Sequence, residues 1–269
     1  MKRIFFSLLL VSIATPQAMA TTVEGGQEAQ YVWVRDTAVL PQFKIQMGLG
    51  SLGRDFNGHR GLVITNFFGA EFEAVKDASL SVGLPLAGTL SAGPDNYGIG
   101  NVMVGGKYVV PLDRLRLALG IDVALPTAQN RSAVGLFTPR YFQYVKDQVA
   151  ASPYLALSHV GERLTATLAV SPDIQVFTTV PAGFDKTELV LSYDGALAYT
   201  FFENIWLTTE FGGHSSLTYT ANHTAFFGGA GVRYQDNEIS VGGHLWAPFT
   251  AQERDRINLM AAFDLRVLF

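Results

Sequence analysis

From Gln42 to Phe269 the chain is written at period two. Leu115, Leu117, Leu119, Ile121, Val123 and Leu125 are consecutive oily positions, with Arg114, Arg116 and Asp122 between them. Phe43, Ile45, Met47 and Leu49 repeat the device, as do Leu80, Val82, Leu84 and Leu86. The last run carries Ile257, Leu259, Ala261, Phe263, Leu265, Val267 and Phe269 on one parity, and Asn258, Asp264 and Arg266 on the other. Side chains of a strand alternate faces, so each run is a strand with one oily and one polar side.

The pattern predicts strands over Gln42–Gly50, Gly61–Ala74, Asp77–Leu86, Gly98–Val110, Arg114–Leu125, Ser152–Val160, Arg163–Val170, Lys186–Phe201, Ile205–Leu217, Thr224–Tyr234, Ile239–Ala247 and Arg256–Phe269. Their connections alternate between short and long. The tight ones are Val75-Lys76, Pro111-Leu112-Asp113, Gly161-Glu162, Phe202-Glu203-Asn204 and Gln235–Glu238; the longest is Pro126–Gln148. Twelve strands, each near the length that crosses a bilayer at a tilt, predict an all-β fold: a transmembrane antiparallel up-and-down β-barrel of the bacterial outer-membrane type. With the C-terminus on the periplasmic side, all the short turns fall there. A soluble sandwich would end by showing the oily face of its last strand to water, which invites aggregation.

The N-terminus changes the picture of compartment. Lys2 and Arg3, the apolar run Ile4–Ala14 and the small residues of Ala18-Met19-Ala20 read as a signal peptide over residues 1–20, with cleavage near Ala20. Residues 21–37 are mixed and mostly polar, and read as a periplasmic or lumenal segment; residues 38–269 read as the barrel. The chain has no cysteine, which excludes disulfides, thiolate metal sites and a lipid-modified N-terminal Cys. Removing Lys2 and Arg3 leaves 17 basic against 23 acidic residues, an unfavourable balance for a nucleic-acid partner. Hydrophobic residues make up 48% of the chain, yet the part after the leader holds no apolar run long enough for a membrane helix.

Parity also assigns a lumen. Glu71, Glu73, Lys107, Arg114, Arg116, Arg163, Glu210, Arg233, Asp264 and Arg266 are candidates for a charged constriction, most of them near the short turns. Mixed signs in a narrow, partly dry space favour salt-bridged closure over ion selectivity. Glycines on the inner parity, among them Gly83, Gly120 and Gly242, leave room for a small molecule, for residues 21–37, or only for tight curvature. Phe137, Tyr141 and Tyr144 of the longest loop, with His214 and His244, are candidates for ligand contact or a gate. His214 and Ser216 form a His-x-Ser pair of a kind that some lipid hydrolases use, but their parity is lumenal and no third, orienting residue stands nearby. No metal or cofactor motif is present in the sequence, and the expectation is no cofactor and no enzyme.

Tyr97–Ala128 (YGIGNVMVGGKYVVPLDRLRLALGIDVALPTA) resembles a hairpin of the putative outer-membrane transporters associated with the meta-pathway of phenol degradation. Gly98, Gly100, Gly106, Lys107, Tyr108, Leu125, Pro126 and Thr127 match; Asn101 stands for the family's Asp and Ala128 for its final Gly. The resemblance implies passage of small aromatic compounds and supplies no catalytic residues. The C-terminal strand resembles those of outer-membrane proteins that end in an outward Phe, which implies the barrel-assembly machinery as a partner of Phe269. The expected function is an outer-membrane channel for small, hydrophobic or aromatic solutes, in contact with outer-membrane lipid. A closed structural or partner-binding barrel, or a lipid-modifying enzyme, are the alternatives.

Overall fold

A computed structural model of the chain describes residues 30–31, 34–52, 61–91, 96–128, 143, 145–180, 185–218, 224–251, 254 and 257–269. The strands are β1 (Gln42–Leu52), β2 (Gly61–Val75), β3 (Ala78–Ser91), β4 (Asn96–Ile99), β5 (Met103–Leu112), β6 (Leu115–Ala124), β7 (Gln148–Val160), β8 (Leu164–Phe177), β9 (Thr187–Phe202), β10 (Ile205–Ser216), β11 (Thr224–Gln235), β12 (Ile239–Pro248) and β13 (Ile257–Leu268). All pairings are antiparallel; they join chain neighbours except that β3 pairs with both β4 and β5, and that β1 pairs with β13 from Gln42↔Leu268 to Leu52↔Ile257. The sheet therefore closes on itself and leaves no edge.

The strands make twelve crossings, because β4 and β5 are two parts of one. The sequence pattern reads Gly98–Val110 as a single strand; the break falls at residues 100–102, opposite Pro85. Pro85 has no N–H to give the ladder. Gly100 N donates to Pro85 O (2.8 Å), while Asn101 N turns away to Gln143 O (2.6 Å). Thr127 and Asn101 tie the break to the end of β6: Thr127 Oγ1 accepts from Val102 N (2.7 Å), and Asn101 Oδ1 accepts from Ala128 N (3.0 Å). The family-like residues thus stitch one hairpin at its long-loop end.

Boundaries also move elsewhere. Residues 171–185 read as a loop with two prolines, whereas β8 continues to Phe177. Pro172 faces outward there, and Ser171 Oγ donates to Pro153 O (2.9 Å), where the ladder between β7 and β8 is interrupted. The two-residue turns after β2 and β5 are Lys76-Asp77 and Asp113-Arg114, with Asp77 and Asp113 in the left-handed region that Asp tolerates.

The outer face is oily all the way round. Phe43, Leu80, Leu119, Leu168, Leu207, Leu245 and Phe263 are exposed, one from each of seven strands. At the short-turn end, Phe43, Phe72 and Phe269 cluster, with ring centroids 5.0 Å apart for Phe43–Phe269 and 6.1 Å for Phe72–Phe269. Tyr108, Tyr199, Phe201 and Tyr234 are exposed at the same end. An oily band with aromatics at its rim is the exterior of a barrel solvated by lipid. The inner face is polar, and its largest fully buried side chains include Arg233, Arg266, Gln148, Gln175, Gln235 and Glu210.

Candidate functional site

The described part of the segment before β1 lies inside the barrel. Gln30, Tyr31, Val34, Arg35 and Thr37 are buried although they belong to no strand. The segment starts beside Gln235 at the short-turn end, where Gln30 N donates to Gln235 Oε1 (3.1 Å). It climbs to mid-barrel: Val34 N donates to Glu210 Oε2 (3.3 Å) and Arg35 N to Asp194 Oδ1 (3.4 Å). It then returns past Asp36 to Gln42 at the start of β1. Tyr31 and Val34 pack with Ala196, Ala198 and Trp206 of the wall. Small residues on β9 leave the space that this apolar hook fills.

Ion pairs hold the hook at two levels. At the base, Arg266 Nη1 meets Asp36 Oδ2 at 2.6 Å and Arg266 Nη2 donates to Tyr31 O. Asp264 lies between Arg266 (2.9 Å) and Arg233 (2.5 Å), and Arg233 also donates to Ser240. Lys107 Nζ bonds Glu71 Oε1 (2.9 Å) and donates to Asp36 O (3.3 Å). Burial opposes the charge on Asp36, but Arg266, Lys44 and Lys107 outweigh it and hold the carboxyl below its ordinary range. At mid-barrel, Arg35 Nη1 bonds Asp194 Oδ2 (3.0 Å), Nε stands 3.6 Å from Asp122 Oδ2, and the guanidinium lies 4.6 Å over the Tyr154 ring.

A cavity of about 160 Å³ remains beside the hook, against β1, β2, β3, β5 and β6. Arg35, Lys107, Asp122, Phe67, Tyr154 and Gln143 are among its walls. Two inner glycines make those rings fit: a Cβ at Gly83 would stand 2.6 Å from Phe67 Cε2, and one at Gly120 would stand 2.6 Å from Tyr154 Cε1. The room that the glycines leave is taken by the barrel's own aromatic side chains.

The structure sorts the residues that parity proposed. Glu71, Lys107, Glu210, Arg233, Asp264 and Arg266 line the lumen and meet the hook or its anchors. Arg116 faces the same interior, half-buried, near its turn. Glu73, Arg114 and Arg163 are exposed and form no part of a constriction. Arg114 sits in the turn before β6, Arg163 in the turn before β8, and Glu73 where the β2–β3 register shifts. His214 and His244 are both buried, and His244 Nδ1 is 3.4 Å from Glu210 Oε1. Phe137, Tyr141 and Tyr144 lie outside the described residues.

Sequence reasoning passed over Arg35, Asp36 and Asp173. The first two sit in a stretch with no strand period. Asp173 follows a proline in what reads as a loop, yet it is fully buried and accepts hydrogen bonds from Ser171 (2.9 Å) and Ser192.

No protein-family model matches the chain, and no curated protein matches it. Solved structures do. The barrel is similar to an outer membrane channel from Pseudomonas putida F1, with a TM-score of 0.62 at 11% identity over 90% of this chain and 100% of that one. It is similar to the NanC porin, with a TM-score of 0.57 at 12% identity over 84% of this chain and 98% of that one. The KdgM porin gives a TM-score of 0.50 at 13% identity over 85% and 99%. At such identities the likeness is one of architecture, and the chain has the closed, twelve-crossing antiparallel fold that these outer-membrane channels share.

Proposed function

We propose that this protein is an outer-membrane channel for small solutes, closed from the short-turn side by its own N-terminal hook. The observation that carries the reading is the hook itself. It fills the lumen through ion pairs, hydrogen bonds and two apolar patches, at Tyr31 with Val34 and at Val39, not through a continuous packed core, and it leaves a cavity of about 160 Å³ beside it. A barrel built only for rigidity has no need of a polar interior held by exchangeable charge pairs. The fold shared with porins and an outer membrane channel supports the same reading. Phe67 and Tyr154 on the cavity wall suit a planar body, which fits the small aromatic solutes implied by the resemblance of Tyr97–Ala128. Gln143 reaches the cavity from the longest loop, so that loop is the second candidate gate, from the other side. Residues 1–20 would be removed on export, and Phe269 would serve recognition by the assembly machinery.

An enzymatic reading has less support. A lipid-hydrolysing pair must face lipid, and His214 is buried on the inner face of β10.

The test is single-channel conductance of the refolded mature protein in a planar bilayer. Deleting residues 30–37 is expected to raise the open probability several-fold. Deleting residues 132–146 tests the loop separately. A barrel that stays silent after both deletions, while a gel shift on heating shows it folded, would overturn the channel reading in favour of a closed barrel.

A further inference from the structure

The cations of the described lumen wall keep to its short-turn half, where Glu71 and Asp264 pair with them, and Arg35 carries a positive charge beyond that half. On the described inner wall every Lys and Arg stands in the short-turn half: Lys44, Lys107, Arg116, Arg233 and Arg266. The middle of the wall from β6 to β9 is acidic. Asp122 lies opposite Ser152, Asp194 opposite Ala169, and Asp173 opposite Val190. Asp122, Asp173 and Asp194 all act on the charge of Arg35, which is held up by them against the effect of its burial. Arg35 comes from outside the wall, on the segment before β1, and it is the one described cation that enters this acidic zone.

The fit of Arg35 is incomplete. It is 4% exposed, yet Nε and Nη2 make no hydrogen bond among the described residues. Nε is 3.6 Å from Asp122, beyond hydrogen-bonding distance. A guanidinium fixed for structure alone would be expected to satisfy its fork with carboxylates. What the zone offers is more general: carboxylates on two sides, and the face of Tyr154 at 4.6 Å. An aromatic face with flanking carboxylates is the chemistry that recognises organic cations. If the hook leaves, the buried Asp173 and Asp194 and the half-buried Asp122 lose the one described cation among them, which is costly unless another cation takes the place.

The geometry points to a binding site for a small organic cation of guanidinium type at Asp122, Asp194 and Tyr154, occupied in this closed state by Arg35 as an internal stand-in. The solute and the hook then compete for one place. A cationic solute arriving through the cavity displaces Arg35, and with it Val34 and Tyr31, so that binding favours the open lumen. This deepens the channel reading and rests on it for the transport step. The site itself can be tested without any conductance.

The test uses refolded full-length mature protein in detergent, with folding shown by the gel shift on heating. Methylguanidinium chloride is the probe and sodium chloride the control. Arg35→Gln empties the site and keeps the hook's length. Methylguanidinium is expected to bind Arg35→Gln at least tenfold more tightly than wild type. It should bind Arg35→Gln/Asp194→Asn at least tenfold more weakly than Arg35→Gln, and sodium should not compete at equal ionic strength. Equal binding to the single and double variants would overturn the proposal. Should Arg35→Gln fail to fold, wild type is titrated instead. Trp206 packs on Tyr31 and Val34, so in a Trp33→Phe/Trp246→Phe background its emission reports the hook. A saturable change with methylguanidinium but not with sodium supports competition; no change overturns it. Binding with no conductance in any variant would sink the channel reading and leave the site standing. Conductance without binding would do the reverse.

Discussion

Arg266 Nη1 and Asp36 Oδ2 meet at 2.6 Å across 230 residues of sequence, joining the last strand of the barrel to the segment that closes it. Asp36 is the titratable half of this latch. Burial favours its neutral form, and Arg266, Lys44 and Lys107 overcome that, so its pKa is depressed. A carboxyl with a depressed folded pKa stabilises the docked state above its free pKa, and the contribution is lost as pH falls through the folded value. The hook should therefore stay docked from neutral pH down to about pH 5, and loosen below about pH 4, where free carboxylates protonate. Trp206 emission against pH checks this. Asp36→Asn should remove the acid limb and leave the hook loosened at pH 7. An Asp36→Asn hook that stays docked at pH 7 would reject Asp36 as the latch.

Two arginines that parity treats alike should behave differently. Arg266 is fully buried between Asp36 and Asp264, whereas Arg114 is exposed in a turn. Removing one partner of a buried ionic network costs about 3–5 kcal/mol, because the other charges stay buried without it. Exposed substitutions usually stay within about 0.5 kcal/mol. Urea unfolding should show Arg266→Met far below wild type and Arg114→Ala close to it. Similar midpoints for the two would contradict the network.

Much of the barrel was legible because period two is a physical requirement wherever one face meets lipid and the other a polar lumen. Leu115 to Leu125 shows it without interruption, and the tight turns punctuate it. The failures have local causes. Pro85 breaks the ladder of a neighbouring strand, so the run from Gly98 to Val110 is two pieces. Pro172 mimics a loop inside β8, which hid Asp173. The hook was illegible for a different reason. Its fold is dictated by partners 159 and 230 residues away, Asp194 and Arg266, and nothing in the local pattern around Arg35 carries that information. Parity could say that Asp194 and Arg266 faced inward, but not what they faced.

The outer face gives a prediction that depends on membrane depth. Leu119 is exposed at the middle of β6, between Arg114 in the turn and Ala124 at the far end. A lysine or arginine on the lipid face costs about 2–4 kcal/mol near the bilayer midplane and about 0–1 near its edges. Leu119→Arg should lower stability in lipid vesicles by about 2–4 kcal/mol, and Leu115→Arg, exposed on the same face beside the turn, by less. Equal losses would mean that the two positions sit at the same depth, and would move the bilayer relative to the barrel.

The support beneath Arg35 can be tested through a glycine. A Cβ at Gly120 would overlap the Tyr154 ring, with Cε1 at 2.6 Å and Cζ closer still. The ring lies under the Arg35 guanidinium at 4.6 Å. Gly120→Ala must therefore push the ring toward Arg35 or toward the cavity. Overpacking of this kind costs about 1–3 kcal/mol. Tyr154→Ala removes both the clash and the aromatic face. In a double-mutant cycle the two changes should be strongly non-additive, since Gly120→Ala loses its cost once the ring is absent. Trp206 emission separates the two effects: Tyr154→Ala should loosen the hook with or without Gly120→Ala. Additive stability losses would show that the methyl at position 120 meets backbone, not the ring, and that Tyr154 is not what the glycine accommodates.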